Sequence, residues 1–410
     1  MDNRNYYNTN KTTRRRTVRK RKSDSVVSAI IEMLKPSKSS PDYIFLGVVL
    51  VLLAFGLMML FSASNARAYA NYGDAFYFIK RQVGWALLGG VLMFLASKFD
   101  YHSLGGKIAG IIYMVCLGLL VLVIAGLGTT VNGSTRWLFG FQPSEAAKLA
   151  IILIFAYNLS QPDGQKDLKC CAKGFGKKYF KSFFTSLLPY IIMLVIYVFF
   201  IALQPHFSCI ILIGLTSVLL LFVAGAPLKH FFVVGGPAAA AALAYAFSAD
   251  YRVARFTSFL DPFADARGDG WQIVQSLYTI GSGGVFGVGL GESRQKFMSL
   301  PEPHNDFIFS VLCEELGLVG AILLISLFII FAVRGIQIAT KAPDLFGTLL
   351  VVGIVGIVGL QALINIAVVT SSIPVTGMPL PFFSYGGTAH FITMAEMGVV
   401  LNVSRQSKLI

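Results

Sequence analysis

The chain is 410 residues long, 55% hydrophobic and only 13% charged, with a mean hydropathy of +0.70. A soluble globular domain is about a quarter charged, so a water-soluble enzyme, a disordered chain and a disulfide scaffold are all excluded. Its 34 Lys and Arg against 20 Asp and Glu leave +14, an excess that suits either nucleic acid or an anionic membrane surface. The positions of those charges decide between the two.

Residues 1–42 are polar and basic, with Arg14-Arg15-Arg16 and Arg19-Lys20-Arg21-Lys22. They carry 11 Lys and Arg against 4 acids, so half of the net charge sits in one tail. Like-charge repulsion and few aromatic anchors predict a disordered tail. It suits anionic lipid or serves to retain the N-terminus in the cytoplasm; Val26–Leu34 is apolar enough for an interfacial helix. The first apolar run, Tyr43–Ser62, is 20 residues without a charge, the length a helix needs to cross a hydrocarbon core. It is too long for the apolar region of a cleaved signal. Further runs follow at about 82–97, 108–127, 146–159, 183–203, 209–226, 231–248, 307–333, 346–369 and 388–403. The expected fold is therefore an all-α polytopic membrane protein of about ten transmembrane helices. Residues 43–403 form its membrane domain and 404–410 a short cytoplasmic tail.

Lys and Arg favour cytoplasmic loops. With the N-terminus inside, the 160–182 loop and its six lysines also lie inside, as do Lys98, Lys107, Lys229, Arg334, Lys341, Arg405 and Lys408. The connection 249–305, between the seventh and eighth spans, then lies outside; its five basic residues are balanced by six acids. Both termini are expected in the cytoplasm, in a multi-pass plasma-membrane protein. Basic charge spread over membrane-flanking loops removes nucleic acid as a partner. The long loop far exceeds ordinary connections and is expected to be functional. Its glycine-rich stretch, Gly281 to Gly291, lacks the Gly-Lys-Ser/Thr ending of a phosphate-binding loop. It is expected to make the tight turns of a re-entrant or surface-hugging segment. The five cysteines (Cys116, Cys170, Cys171, Cys209, Cys313) supply no four-ligand set, and no metal held by protein ligands is expected.

Ionisable groups at membrane depth are costly and mark cavities or partners. Glu145 and Lys148 are three apart at the start of the fourth span and share a helical face; a local ion pair is the simplest alternative to a functional role. Glu314 and Glu315 in the eighth span suit helix packing, and Glu396 sits in the tenth. Asp306 follows His304-Asn305 at the expected outer mouth of the eighth span, where it is either a functional carboxylate or a helix N-cap. Arg136-Trp137, in the polar segment Asn132–Trp137, could bind a phosphate or pyrophosphate or simply mark the interface.

Four blocks then resemble the SEDS family (shape, elongation, division and sporulation) in family order. They are Asn132-Gly-Ser-Thr-Arg-Trp137 with Gln142-Pro-Ser-Glu-Ala-Ala-Lys148; Asp269-Gly-Trp-Gln272 with Gln275-Ser-Leu277 and Gly281-Ser-Gly-Gly284; Leu300-Pro-Glu-Pro-His-Asn-Asp-Phe-Ile-Phe309 with Glu314-Glu-Leu-Gly317; and Met378-Pro-Leu-Pro-Phe-Phe-Ser-Tyr-Gly-Gly-Thr388. The resemblance implies a ten-helix glycosyltransferase that polymerises lipid II into peptidoglycan strands. Asp306 matches the family's catalytic base, and Glu145 and Lys148 match a supporting pair in the same cavity. Arg136, Gln275, Ser384, Gly386 and Gly387 are candidate substrate contacts. A divalent cation, Mg or Mn, would be held largely by substrate. The resemblance also implies a class B penicillin-binding protein as transpeptidase partner, other divisome membrane proteins, and action at the division septum. The basic tail and the Pro-Glu-Pro-His-Asn-Asp wording resemble the division-type, FtsW-like branch more than the elongation-type branch, with sporulation as a further possibility. Gln204-Pro-His-Phe-Ser208 departs from the family, placing His206 where many members have an acid. A lipid II flippase and a scaffold that recruits a transpeptidase are the competing expectations.

Overall fold

The computed structural model describes residues 40–131, 134–164, 187–204, 206–247, 253, 257–268, 270–297 and 300–407. The basic tail to residue 39, the six lysines and two cysteines of 165–186, Asn132, Arg252, Arg255 and Asp269 lie outside the described residues.

Among the described residues, ten helices correspond to the ten apolar runs. They are α1 (Tyr43–Tyr72), α2 (Tyr77–Ala96), α3 (Lys107–Leu122), α4 (Pro143–Ser160), α5 (Leu188–Leu203), α6 (Phe207–Val223), α7 (Leu228–Ala246), α9 (Ile308–Thr340), α10 (Leu345–Val369) and α11 (Gly387–Gln406). An eleventh, α8 (Trp271–Ser282), lies within the long connection. Five are long and apolar enough to cross a membrane by themselves: α1, α2, α3 with its following turn, α9 and α10. The chain is a multi-pass membrane protein. The expected all-α class holds, with one addition. The segment around Arg136 is a small antiparallel ribbon, β1 (Thr129–Val131) with β2 (Ser134–Trp137).

Ends differ from the apolar runs because caps, rather than hydropathy, terminate helices. Asp42 caps α1 by accepting from the Phe45 amide at 2.9 Å, and α1 continues ten residues past Ser62 to a left-handed Gly73. The helix that carries the site together is α10: 67% of its most apolar stretch is buried, against 28–33% in the other four long spans. It packs on α4, α6, α9 and α11, while α2 packs along α11. Small residues permit that last approach: a side chain at Gly398 would run into the Met93 carbonyl, and one at Gly387 into the Trp85 ring.

The glycine-rich stretch folds onto a break in α9. At Gly317 (φ 65°, ψ −162°) the helix leaves helical geometry, which strands backbone groups inside the membrane domain. Spanning structures must satisfy such groups internally. Here the glycine loop does so: the Val288 and Gly289 amides donate to the Glu314 and Glu315 carbonyls at 3.0 Å, and the Leu318 and Val319 amides donate to the Gly284 and Val285 carbonyls at 3.0 and 3.2 Å. The approach is close enough that a Cβ at Gly283 or Gly287 would overlap the Cys313 or Glu315 carbonyl. Glu314 and Glu315 accept from the same loop, from the Arg294 amide at 3.0 Å and the Ser293 amide at 3.4 Å. Lys296, read from sequence as one of the loop's basic residues, is buried against Glu315 at 3.0 Å.

At the end of the bundle that holds Asp42 and Arg405, His102 bridges two carboxylates, Asp100 at 2.7 Å and Asp344 at 2.8 Å. Asp344 also caps α10 through the Gly347 amide at 2.7 Å, and Gln406 of α11 donates to Asp100 at 2.9 Å. Burial pushes the imidazole down, but the Asp100 hydrogen bond and charge, with Asp344, outweigh it and hold His102 above its ordinary pKa. A raised pKa in the folded state adds stability that is complete below the unfolded value, about 6.5, and is lost as pH rises through the folded one. His102→Gln is therefore expected to lower the melting temperature more at pH 6 than at pH 9. Equal losses at both would exclude a charged bridge.

Candidate functional site

The predicted residues other than Gln275 lie toward the opposite end of the bundle, around the irregular segment between α10 and α11. Residues 373–380 form no regular structure and include Pro374 and Pro379, so their carbonyls need donors from elsewhere. Side chains from two helices, α6 and α10, supply them. Ser208 of α6 donates to the Thr376 carbonyl, Asn365 to Met378 at 2.7 Å, and Gln361 to Pro379 at 2.9 Å. Within the segment, Ser384 accepts from the Leu380 amide at 2.7 Å.

Asp306 lies across from this segment. A Cβ on Gly377 would stand 3.4 Å from its carboxylate Oδ2, and Gly377 itself holds φ +66°. A non-glycine residue there would be strained by that backbone conformation. The Asp306 backbone carbonyl accepts from Asn365 at 2.8 Å. The N-cap position of α9 is Phe307, the residue after Asp306. Its neighbours are stitched to the 380s: Ser384 donates to the Asn305 carbonyl at 2.6 Å, and the Tyr385 amide donates to the His304 carbonyl at 2.9 Å. Burial pushes His304 down to about 4, Glu302 raises it and Arg67 lowers it. The imidazole is therefore neutral near pH 7, and its ring packs on Phe78 at 4.5 Å.

Glu145 and Lys148 are an ion pair of 2.7 Å, both side chains 8% exposed. The local pair weighed from sequence is thus present, but it reaches further. Lys148 also donates to Gln361 at 3.2 Å, and Gln361 in turn holds the Pro379 carbonyl. Glu396 of α11 is buried and close enough to act on Lys148. Pro143 at the first helical turn and the absence of a Gly or Pro after it start α4 where the pair faces inward.

The Gly386 backbone amide donates to Gln82 Oε1 of α2 at 3.3 Å, and Gly387 lies against Trp85. Gly387 therefore sets how closely the 380s approach α2. Arg136 of β2 is half-buried and donates to the Gln204 carbonyl at 3.2 Å; its charge and that of Lys148 both act on buried His206, which contacts Ser144 at 3.2 Å. Gln275 sits on the buried side of α8. Its neighbour Ser276 donates to the Val369 carbonyl at 2.7 Å and pairs with Ser310 at 2.8 Å, which seats α8 on the ends of α9 and α10. Gln275 belongs to that seating, apart from the hydrogen-bonded set around residues 376–384.

No group of three or more His, Cys, Asp and Glu converges among the described residues. Cys116, Cys209 and Cys313 are buried and unpaired with one another. Sequence reasoning missed Gln82, Gln361 and Asn365. The last two had a signal, two amides four residues apart in an otherwise apolar helix.

The family model described as cell cycle protein, for FtsW, RodA and SpoVE, matches residues 42–409. The chain is 42% identical to Stage V sporulation protein E of Bacillus subtilis, over 90% of this chain and 99% of that one. It is 39% identical to a "Probable peptidoglycan glycosyltransferase FtsW" of Trichlorobacter lovleyi, over 90% and 94%. Among solved structures it resembles a chain from work on "polymerization and crosslinking by a peptidoglycan synthase complex", with TM-score 0.71, 29% identity and coverage of 90% and 99%. It also resembles Thermus thermophilus rod shape determining protein RodA, with TM-score 0.64, 27% identity and coverage of 92% and 100%.

Proposed function

From the chain's membership of the FtsW, RodA and SpoVE cell cycle protein family, we propose that it is a peptidoglycan glycosyltransferase that polymerises lipid II. The observation that carries the reading is the convergence of family blocks far apart in sequence. The α4 pair, Asn305-Asp306 and the 376–384 segment join in one buried hydrogen-bonded set through Gln361 and Asn365.

In the proposed reaction Asp306 accepts the proton of the acceptor sugar's 4-hydroxyl while that oxygen attacks the donor's anomeric carbon. The bond to the diphosphate oxygen breaks, undecaprenyl pyrophosphate leaves with the electron pair, and the anomeric centre inverts. Lys148 is committed to Glu145 and Gln361, so it stiffens the wall of the site. Arg136, half-buried on its ribbon, is the better cation for the leaving diphosphate. Ser384, Gly386 and Gly387 shape the substrate wall. Any divalent cation would come bound to the diphosphate.

The excess of Lys and Arg in the expected inner loops supports cytoplasmic termini, with Asp306 then at the outer face, where strands are assembled. We place the protein at the division septum with a class B penicillin-binding protein, other divisome membrane proteins, and anionic lipid under its basic tail. Identity alone does not separate branches, since the sporulation protein stands at 42% and the FtsW proteins at 37–39%. The division assignment rests on the basic tail and the Pro-Glu-Pro-His-Asn-Asp motif.

Purified protein in liposomes is expected to convert labelled lipid II into glycan strands resolved on gels, with activity raised by its transpeptidase. Transbilayer movement of lipid II without strands would favour a flippase. Neither movement nor strands, with the transpeptidase still recruited, would leave only a scaffold.

A further inference from the structure

The α10 helix carries two buried amides, Gln361 and Asn365, four residues apart and hence on one face. Each has two arms. Asn365 donates to the Asp306 carbonyl at 2.8 Å and to the Met378 carbonyl at 2.7 Å. Gln361 donates to the Pro379 carbonyl at 2.9 Å and accepts from Lys148 at 3.2 Å. Together they fasten the backbone of Asp306, the irregular wall that faces it and the α4 ion pair to the most buried of the five long spans.

We propose that Gln361 and Asn365 are positioning residues that set the Asp306 carboxylate against the wall at Gly377. The inference rests on the polymerase reading with Asp306 as base. Its physical basis is that the 373–380 wall has no secondary structure of its own. With proline at 374 and 379, it cannot form its own ladder, so its register comes from side chains that reach it. Gly377, the residue facing the carboxylate, lies one position before Met378 and two before Pro379, the carbonyls the amides hold. Freeing those carbonyls lets the wall and Asp306 drift apart. A displacement of about 1 Å is enough to cost about 10²-fold in rate. Binding of the lipid and sugar elsewhere in the site need not change.

The test uses the full chain with lipid II, measuring kcat and KM for strand formation separately. Asn365→Leu, close in size and without the donor, is expected to lower kcat about 10²-fold and leave KM within about twofold. A folded Asn365→Leu protein with near wild-type kcat, or one that loses only KM, overturns the proposal. If that variant is not recovered folded, Gln361→Met decides: about a tenfold fall in kcat at constant KM supports positioning, and an unchanged kcat overturns it. Asp306→Ala in the same assay separates the two levels. Strands from Asp306→Ala would overturn the base assignment itself, whereas an inactive Asp306→Ala beside a normal Asn365→Leu overturns positioning alone.

Discussion

Asp306→Asn is expected to lower lipid II polymerisation about 10²–10⁴-fold, the usual contribution of a positioned base, while the protein still inserts and melts normally. The change keeps the shape and removes only the carboxylate's ability to take a proton. The contact that ties this residue to α10 is through its backbone carbonyl, held by Asn365, and survives the substitution. Because the fold is untouched, KM is expected to change little and the loss to appear in kcat. Strand synthesis above a tenth of the wild-type rate would remove Asp306 from the role of base.

Lys296→Met is expected to destabilise the protein by about 3–5 kcal/mol, the cost of stranding one partner of a buried ion pair. Lys296 and Glu315 are both fully buried, 3.0 Å apart. Lys296 also donates to the Gly291 carbonyl at 2.6 Å and to Ser62 at 3.3 Å, and Ser62 donates to Glu315 at 2.6 Å. The cluster joins α1, the glycine loop and the break in α9. Without the lysine, the Glu315 carboxylate keeps only neutral donors. Adding Glu315→Gln removes the stranded charge, so the double variant is expected to melt above Lys296→Met alone. Thermal unfolding of the purified protein in detergent checks the order. A double variant no more stable than the single one would show that the lysine's packing, rather than its charge, holds the loop.

The spans were legible because the bilayer imposes a length and an apolar composition on each helix separately, and that constraint is local. Run 346–369 reads as a span from its residues alone, and α10 covers Leu345–Val369. The packing role expected of Glu314 and Glu315 was legible for a related reason, since two adjacent acids in an apolar run need partners nearby. The identity of the partners was not. Ser62 lies 253 residues from Glu315, and nothing in either segment names the other.

The candidate site divides in the same way. Asp306, Glu145 and Lys148 stand out in sequence because charge is scarce and costly where they sit, and the family blocks around them mark the chemistry. Gln361 and Asn365 are neutral amides, cheap enough in a helix to pass as packing residues. Their significance depends on two proline-interrupted carbonyls and a backbone group 59 residues away. The sequence by itself determined the class, the ten spans and the charged residues around which chemistry is placed, because hydrophobic length and buried charge act residue by residue. Only the tertiary structure decided which backbone groups those residues hold. Hydrogen bonds to irregular chain inside a membrane are satisfied across long sequence separations, and no local pattern records their partners.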